Sequence, residues 1–291
     1  MTNAEPTSNA WEWRAMGTTW RIYHDGGVGR GCSLQVAALV EADEQRWSRF
    51  RPDSELSRIN VMAGQPVEVS PETLELLVAA RRFTIETGGV FQPLVAPRLT
   101  AWGYGRSLAD AEPGTARSPQ PEPVTGTLRI DVTRSRVIVP PGGAIDLGGI
   151  AKSWSAGRAG RLLERTSSGS VLLDAGGDIV AVRGDHVVDV ASTGERVTLR
   201  QGEGVATSGF GRRQWQNGDG VDANHLIDPA TGAPAGRAHA TVVAADAVTA
   251  DVLATSLVVR PTLIGDRDEA CIVVDELGTR VSTRRWAEVA A

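Results

Sequence analysis

Ala144-Ile145-Asp146-Leu147-Gly148-Gly149-Ile150-Ala151-Lys152-Ser153 reads as a strand end, a Gly-Gly turn and a helix start. Such a joint directs backbone N–H groups without intrahelical partners at one point, where an anion binds well. It is not a Walker A loop, because no Gly stands immediately before the lysine. The alternative is a plain strand–turn–helix joint. One count bears on the choice: of the 30 Lys and Arg residues, only Lys152 is lysine. A compact ammonium on a flexible stem does what a planar guanidinium cannot, so a single lysine in this stretch points to a specific contact. Chance is the competing explanation.

Working outward, residues 128–132 and 136–139 read as two strands joined by a short turn, and residues 150–164 as a helix. Short strands with Gly-rich turns follow at 171–174, 178–182 and 187–190. Towards the start, residues 20–23 form a strand and Ser33 caps a helix running to Trp47. Ser70-Pro71-Glu72 opens another helix, with Ser as cap and Pro at its first position. This helix carries Leu74, Leu77, Val78 and Ile85 on one side and stops at Gly88-Gly89. Residues 109–126 are rich in Pro, Ser, Gly and Thr and read as a long loop. Late in the chain, 239–245 is a strand, 248–259 a helix and 271–275 a buried strand. Nothing repeats with a period of 20–50 residues. Helices and hairpin-linked strands mix without βαβ alternation, which predicts an α+β fold.

Composition sets the outer bounds. The 291 residues are 41% hydrophobic and 22% charged, as in a globular protein with a substantial core. A net charge of −5 argues against a nucleic-acid-binding face. No apolar run reaches the ~18–20 residues that span a bilayer. The polar start has neither a basic n-region nor an apolar h-region, so no signal peptide and no membrane anchor are expected and a cytoplasmic location is the default. Cys32 and Cys271 are the only cysteines, too few for a disulfide scaffold or a Cys-built zinc site.

Four constellations carry candidate chemistry. Asp251 and Thr255 stand four apart and so share a helix face, offering hard oxygen ligands of the kind Mg²⁺ takes; the alternative is a surface Asp and an unrelated Thr. The turn at 144–153 is the second. The third is Asn224-His225-Leu226-Ile227-Asp228-Pro229-Ala230-Thr231-Gly232, where His225 is either a packed histidine or a general base with an intrinsic pKa near ~6.5. The fourth is Thr207-Ser208-Gly209 at a strand end, with hydroxyls suited to phosphate or ribose and equally to a turn. No Gly-x-Ser-x-Gly elbow, His-Glu-x-x-His helix or Rossmann fingerprint is present.

In order, these segments resemble the FAD:protein FMN transferase (ApbE) family. Further matching blocks are Met16-Gly17-Thr18, Phe50-Arg51-Pro52-Asp53-Ser54-Glu55-Leu56-Ser57-Arg58-Ile59-Asn60, Gly89-Val90-Phe91-Gln92-Pro93, Trp102-Gly103-Tyr104 and Gly176-Gly177-Asp178-Ile179. The resemblance implies a single two-lobed α+β domain over 13–291, with mixed, mostly antiparallel sheets, FAD in the cleft between the lobes, and residues 1–12 as a flexible tail. It implies Mg²⁺-dependent transfer of FMN from FAD to a Ser or Thr hydroxyl of a target protein, with release of AMP. By the same resemblance Asp251, Thr255 and the Gly149 carbonyl hold the metal, and His225 takes the hydroxyl proton. Met16, Phe50, Asn60, Trp102, Asp146, Lys152, Thr207 and Asp228 contact FAD. The sequence departs from the family pattern at Gln92, where Asp is common, at Ser153, where Gly is usual, and at Asp174, where Asn or a similar residue is usual. A Pro-rich loop also follows Trp102 where a helix is often found. The alternatives are an Mg²⁺-dependent FAD pyrophosphatase, with water as acceptor, and a non-catalytic FAD-binding protein.

Overall fold

The computed structural model describes residues 2–4, 9–105, 117–211, 213–265 and 267–290. The chain divides into two compact units, the first made of Met1–Glu44, Ile150–Gly209 and Ala238–Ala291, the second of Gln45–Gly149 and Phe210–Arg237. Helices mix with sheets whose paired strands are antiparallel throughout the described residues, the α+β class that the sequence predicts.

The first unit is built on eight strands: β1 (Asn9–Ala15), β2 (Thr18–His24), β3 (Val171–Ala175), β4 (Ile179–Arg183), β5 (Gly204–Gly209), β6 (His239–Ala244), β7 (Ala270–Val274) and β8 (Arg280–Ser282). They lie side by side in chain order. Strand alternation sorts their side chains onto two faces. On one face, Trp20, Ile22, Val171, Leu173 and Ala175 meet Val36 and Val40 of helix α1 (Arg30–Trp47) and Ala156, Ala159 and Leu163 of helix α2 (Ala151–Thr166). On the other, Leu172, Ile179 and Ala181 meet Val188, Val190, Val197 and Leu199. These come from a small antiparallel sheet of Thr2–Ala4, His186–Val190 and Glu195–Leu199. Cover on both faces explains why every residue of β3 is buried.

Helix α3 (Ala247–Val259) packs on β5, β6 and α2. The Asp246 side chain caps it, accepting the Thr249 N–H at 2.9 Å. Its sequence is apolar almost all round, and Leu253 and Leu257 are buried. Each contributes ~1.5–3 kcal/mol by leaving water.

The second unit contains helices Glu55–Val61, Pro71–Glu86 and Ala96–Ala101, a three-stranded antiparallel sheet ordered Val67–Glu68, Arg136–Ile138, Arg129–Asp131, and two short ribbons, Gln214–Gln216 with Asp222–Asn224 and Ile227–Asp228 with Ala233–Pro234. Ser54 and Ser70 cap the first two helices. Glu55 ties them together by accepting the Ser70 N–H (2.6 Å), the Ser70 hydroxyl (2.7 Å) and the Thr73 hydroxyl.

Several expectations change. Helix α1 starts at Arg30; the Ser33 N–H already donates to the Gly29 carbonyl at 3.2 Å, so Ser33 lies inside the first turn and does not cap it. The Pro71–Glu86 helix buries Thr73, Leu76, Leu77, Ala79, Ala80 and Phe83, while Val78 and Ile85 are 41% and 71% exposed. The Phe83 ring and the hydrogen bond from Trp47 Nε1 to Thr73 (3.0 Å) rotate the helix away from the expected side. Asn9–Glu12, placed by sequence in a flexible tail, belong to β1 and pair from Asn9 opposite His24 onward. Residues 117–126 have no regular structure, as the loop reading requires; 109–116 lie outside the described residues. No helix among the described residues is long and apolar enough to cross a membrane.

Gly204 lies close against the first residue of α3. A Cβ there would stand 2.5 Å from the Ala247 Cα and 2.6 Å from its nitrogen. Backbone cannot swing aside as a flexible side chain can. Gly204→Ala should therefore cost ~1–3 kcal/mol by overpacking, read as a lowered denaturant midpoint; an unchanged midpoint would refute this account of the joint.

Candidate active site

In the first unit, polar groups converge on α3. Asp251 is 5% exposed in a helix whose other buried side chains are apolar apart from Ser256. A buried carboxylate needs donors, and the Ser153 hydroxyl of α2 donates to Asp251 Oδ2 at 2.8 Å. Thr255, one turn later, lies 2.9 Å from the Ser208 hydroxyl of β5. Beside it, Thr207 stands opposite Thr241 of β6 with their hydroxyl oxygens 2.9 Å apart.

Lys152 opens α2 beside Ser153, and its ammonium lies 2.5 Å from Asp178 Oδ2, a carboxylate side chain only 3% exposed. Asp174 accepts the Gly177 N–H at 2.6 Å and so shapes the Gly176-Gly177 turn that presents Asp178. Met16 sits with Gly17 in the two-residue turn between β1 and β2, both at positive φ (50° and 69°), as in a type I′ hairpin. Its N–H donates to Glu44 Oε2 at 2.7 Å, which helps to hold a conformation that non-glycine residues seldom adopt. The Met16 side chain packs against the core of this unit.

In the second unit, Arg49 organises an aromatic cluster. Its guanidinium donates to Asp146 and to the Tyr104 carbonyl (2.6 Å) and lies over the rings of Phe50 (4.3 Å) and Tyr104 (4.7 Å). Phe50 remains 39% exposed, so one ring surface is available for stacking. Asp146 also accepts the Gly148 N–H at 2.7 Å. Asn60 fixes the chain just before Asp146: its amide donates to the Ile145 carbonyl (2.9 Å) and accepts the Ile145 N–H (2.7 Å). Trp102 is buried and donates to the Gly232 carbonyl at 2.9 Å. Asp228 accepts the Ala230 N–H (2.9 Å) and the Thr231 hydroxyl (3.2 Å). Together these hold the turn that follows His225. The His225 Nδ1 lies 3.4 Å from the Arg213 carbonyl. A carbonyl only accepts, so this contact favours hydrogen on Nδ1 and makes Nε2 the basic nitrogen.

Of the residues singled out by sequence, Lys152, Thr207, Asp251 and Thr255 therefore belong to the first unit with Met16, and Phe50, Asn60, Trp102, Asp146, Gly149, His225 and Asp228 to the second. The sequence reading missed Arg49, and it missed the partners Asp178, Ser153 and Ser208 as contacts. Arg49 directly precedes the Phe50–Asn60 block, the one signal that pointed to it.

The donor set suits a hard divalent cation. Mg²⁺ usually takes one or two carboxylates and leaves its other positions to water and substrate phosphate. One buried carboxylate with a hydroxyl a turn away fits that pattern. It does not fit a metal held wholly by side chains, and no group of three or more His, Cys, Asp or Glu among the described residues forms such a cage.

Proteins that share this fold and sequence pattern are named as flavin transferases. The ApbE family profile matches residues 16–265, and the chain belongs to the ApbE family. It is 30% identical over 266 residues to the FAD:protein FMN transferase of Vibrio cholerae serotype O1, covering 84% of this chain and 79% of that one. It is 27% identical over 285 residues to the FAD:protein FMN transferase of Salmonella typhimurium, covering 90% and 81%. Among solved structures, the ApbE protein of Thermotoga maritima superposes with a TM-score of 0.86 at 27% identity over 97% of this chain and 99% of that one. The apo flavinyl transferase ApbE of Pseudomonas stutzeri, at 23% identity and a TM-score of 0.79 over 97% and 96%, shares the fold.

The ion pair at Lys152 yields a test of the folded protein itself. Lys152→Ala leaves the buried Asp178 carboxylate without its ammonium, a loss on the order of 3–5 kcal/mol for a buried pair. The expected outcome is a lowered unfolding midpoint in the absence of any flavin. An unchanged midpoint would show that Lys152 does not stabilise the folded state through Asp178.

Proposed function

We propose that this protein is an Mg²⁺-dependent FAD:protein FMN transferase. A Ser or Thr hydroxyl of a target protein attacks the FMN phosphorus of FAD, the bond to the AMP phosphate breaks, AMP leaves, and the target carries FMN through a phosphoester. Asp251 carries the reading: a carboxylate buried in an apolar helix, one turn from Thr255, in a chain of the ApbE family whose curated relatives bear this activity in their names. The cytoplasmic setting rests on the sequence alone.

Asp251, Thr255 and the Gly149 carbonyl are the proposed metal ligands. Bound there, Mg²⁺ would polarise the diphosphate and neutralise charge that develops on its oxygens. His225 Nε2 accepts the proton of the attacking hydroxyl. Lys152 and Thr207, with Asn60, Trp102, Asp146 and Asp228, are proposed as the FAD-binding set, with Met16 and Phe50 against the flavin. The contacts within the protein support positioning roles for several of these, since Asn60 and Trp102 hold the backbone next to Asp146 and after His225.

Asp251→Ala should abolish AMP release from FAD while the protein stays folded, because a hydroxyl and a carbonyl alone are a poor Mg²⁺ site. Undiminished turnover at low micromolar Mg²⁺ would remove Asp251 from the metal set. His225→Ala should bind FAD as before but transfer about 10²–10⁴-fold more slowly. Transfer by the unaltered protein should rise with pH through a histidine ionisation, since only neutral imidazole accepts a proton, and the variant should lose that step. A normal rate with the same pH profile excludes His225 as the base. AMP formed equally fast with and without an acceptor protein would identify a pyrophosphatase instead.

A further inference from the structure

Ser153 is wholly buried in the first turn of α2, and its hydroxyl faces two acceptors. One is the Ile150 carbonyl at 3.0 Å, a local i−3 contact. The other is Asp251 Oδ2 at 2.8 Å, from a residue 98 positions away on a different helix. Of the two, the carboxylate is the stronger acceptor, because a hydrogen bond to an ionised group is roughly twice as strong as one between neutral groups. A hydroxyl pointed at one oxygen of a carboxylate fixes the rotation of that carboxylate about its Cβ–Cγ bond. The residue it grips is the only acidic side chain in α3.

We infer that Ser153 is a positioning residue for metal binding: it holds the Asp251 carboxylate in the orientation in which it ligates a divalent cation, without itself touching the ion. The inference rests on Asp251 being a metal ligand. Ligating carboxylates are held by hydrogen bonds of this kind, and removing such a partner commonly lowers metal affinity 10–100-fold. The Ser153 contact also sets α2 and α3 in register at the point where the ligand leaves the helix.

The test titrates the purified protein with Mn²⁺, reading the free ion by electron paramagnetic resonance, and measures the metal-free melting temperature of each variant. The unaltered protein should bind Mn²⁺ and Asp251→Ala should not. Ser153→Ala should bind 10–100-fold more weakly and still unfold in one cooperative transition, at a temperature lowered by the lost hydrogen bond to a buried carboxylate. In FAD cleavage, the metal concentration giving half-maximal rate should rise by the same factor and kcat should recover at saturating metal. Mn²⁺ affinity in Ser153→Ala equal to that of the unaltered protein, with Asp251→Ala lacking binding, overturns the role of Ser153 alone. Absent binding in the unaltered protein, or undiminished binding in Asp251→Ala, overturns the metal reading and this inference with it. Should Ser153→Ala not fold, Ser153→Gly takes its place; failure of both to fold assigns Ser153 to the core and overturns the proposal.

Discussion

A carboxylate held inside an apolar helix is the constraint on which the first unit turns. Ionised carboxylates resist burial unless hydrogen bonds replace water, and Asp251 is 5% exposed. The Ser153 hydroxyl that reaches it belongs to α2, so α2 and α3 must sit at a fixed separation. That separation needs α3 tight against the sheet, which Gly204 permits by having no side chain. The same close layer puts Thr255 within 2.9 Å of Ser208 on β5. Small residues along α2 bring that helix onto the sheet: Ala156 and Ala159 pack in the core beneath it, and a Cβ on Gly160 would meet Val180 and Val182.

The second unit meets a different demand, that of holding loops still. Its polar side chains mostly bind backbone. Asn60 clasps both polar groups of Ile145, Trp102 reaches the Gly232 carbonyl, and Asp228 closes its own turn. Arg49 does the same for the aromatic cluster, joining Asp146 to the Tyr104 carbonyl beneath two rings. Residues outside regular structure are thereby held by side chains, in place of the ladder bonds that a helix or strand would supply.

Local signals in the sequence translated well where the physics is local. Ser70 with Pro71 marks a helix start, and short apolar runs between Gly-rich turns mark the strands Val171–Ala175, Ile179–Arg183 and His186–Val190 to within a residue or two. On the Pro71–Glu86 helix Leu74, Val78 and Ile85 fit an apolar stripe as well as Leu76, Ala80 and Phe83 do; tertiary packing, with Trp47 bonded to Thr73, decides between them. At the candidate site, spacing puts Asp251 and Thr255 on one helix face but equally allows a surface Asp and an unrelated Thr; the family resemblance is what singles them out. Their partners were not legible, because Ser153 and Ser208 lie 98 and 47 positions away and hydroxyls carry no periodic signal. Lys152 stood out by its rarity, yet nothing local indicated that Asp178 would take its charge.

The order of the eight-stranded sheet has a bearing on how the chain passes between the two units. Neighbours in space are neighbours in the chain, so each connection only has to return to the next position in the sheet. Between β5 and β6 the chain leaves at Gly209 and pairing resumes at His239, which stands directly opposite. The intervening part of the second unit, Phe210–Arg237, is therefore an insertion at the mouth of a hairpin, where exit and return are already adjacent. This segment is packed: its Ala223 and Ile227 lie in a buried cluster with Leu99, Trp102 and Tyr104. The register of β5 and β6 is set by the two strands themselves, while residues 210–237 find their core within the second unit.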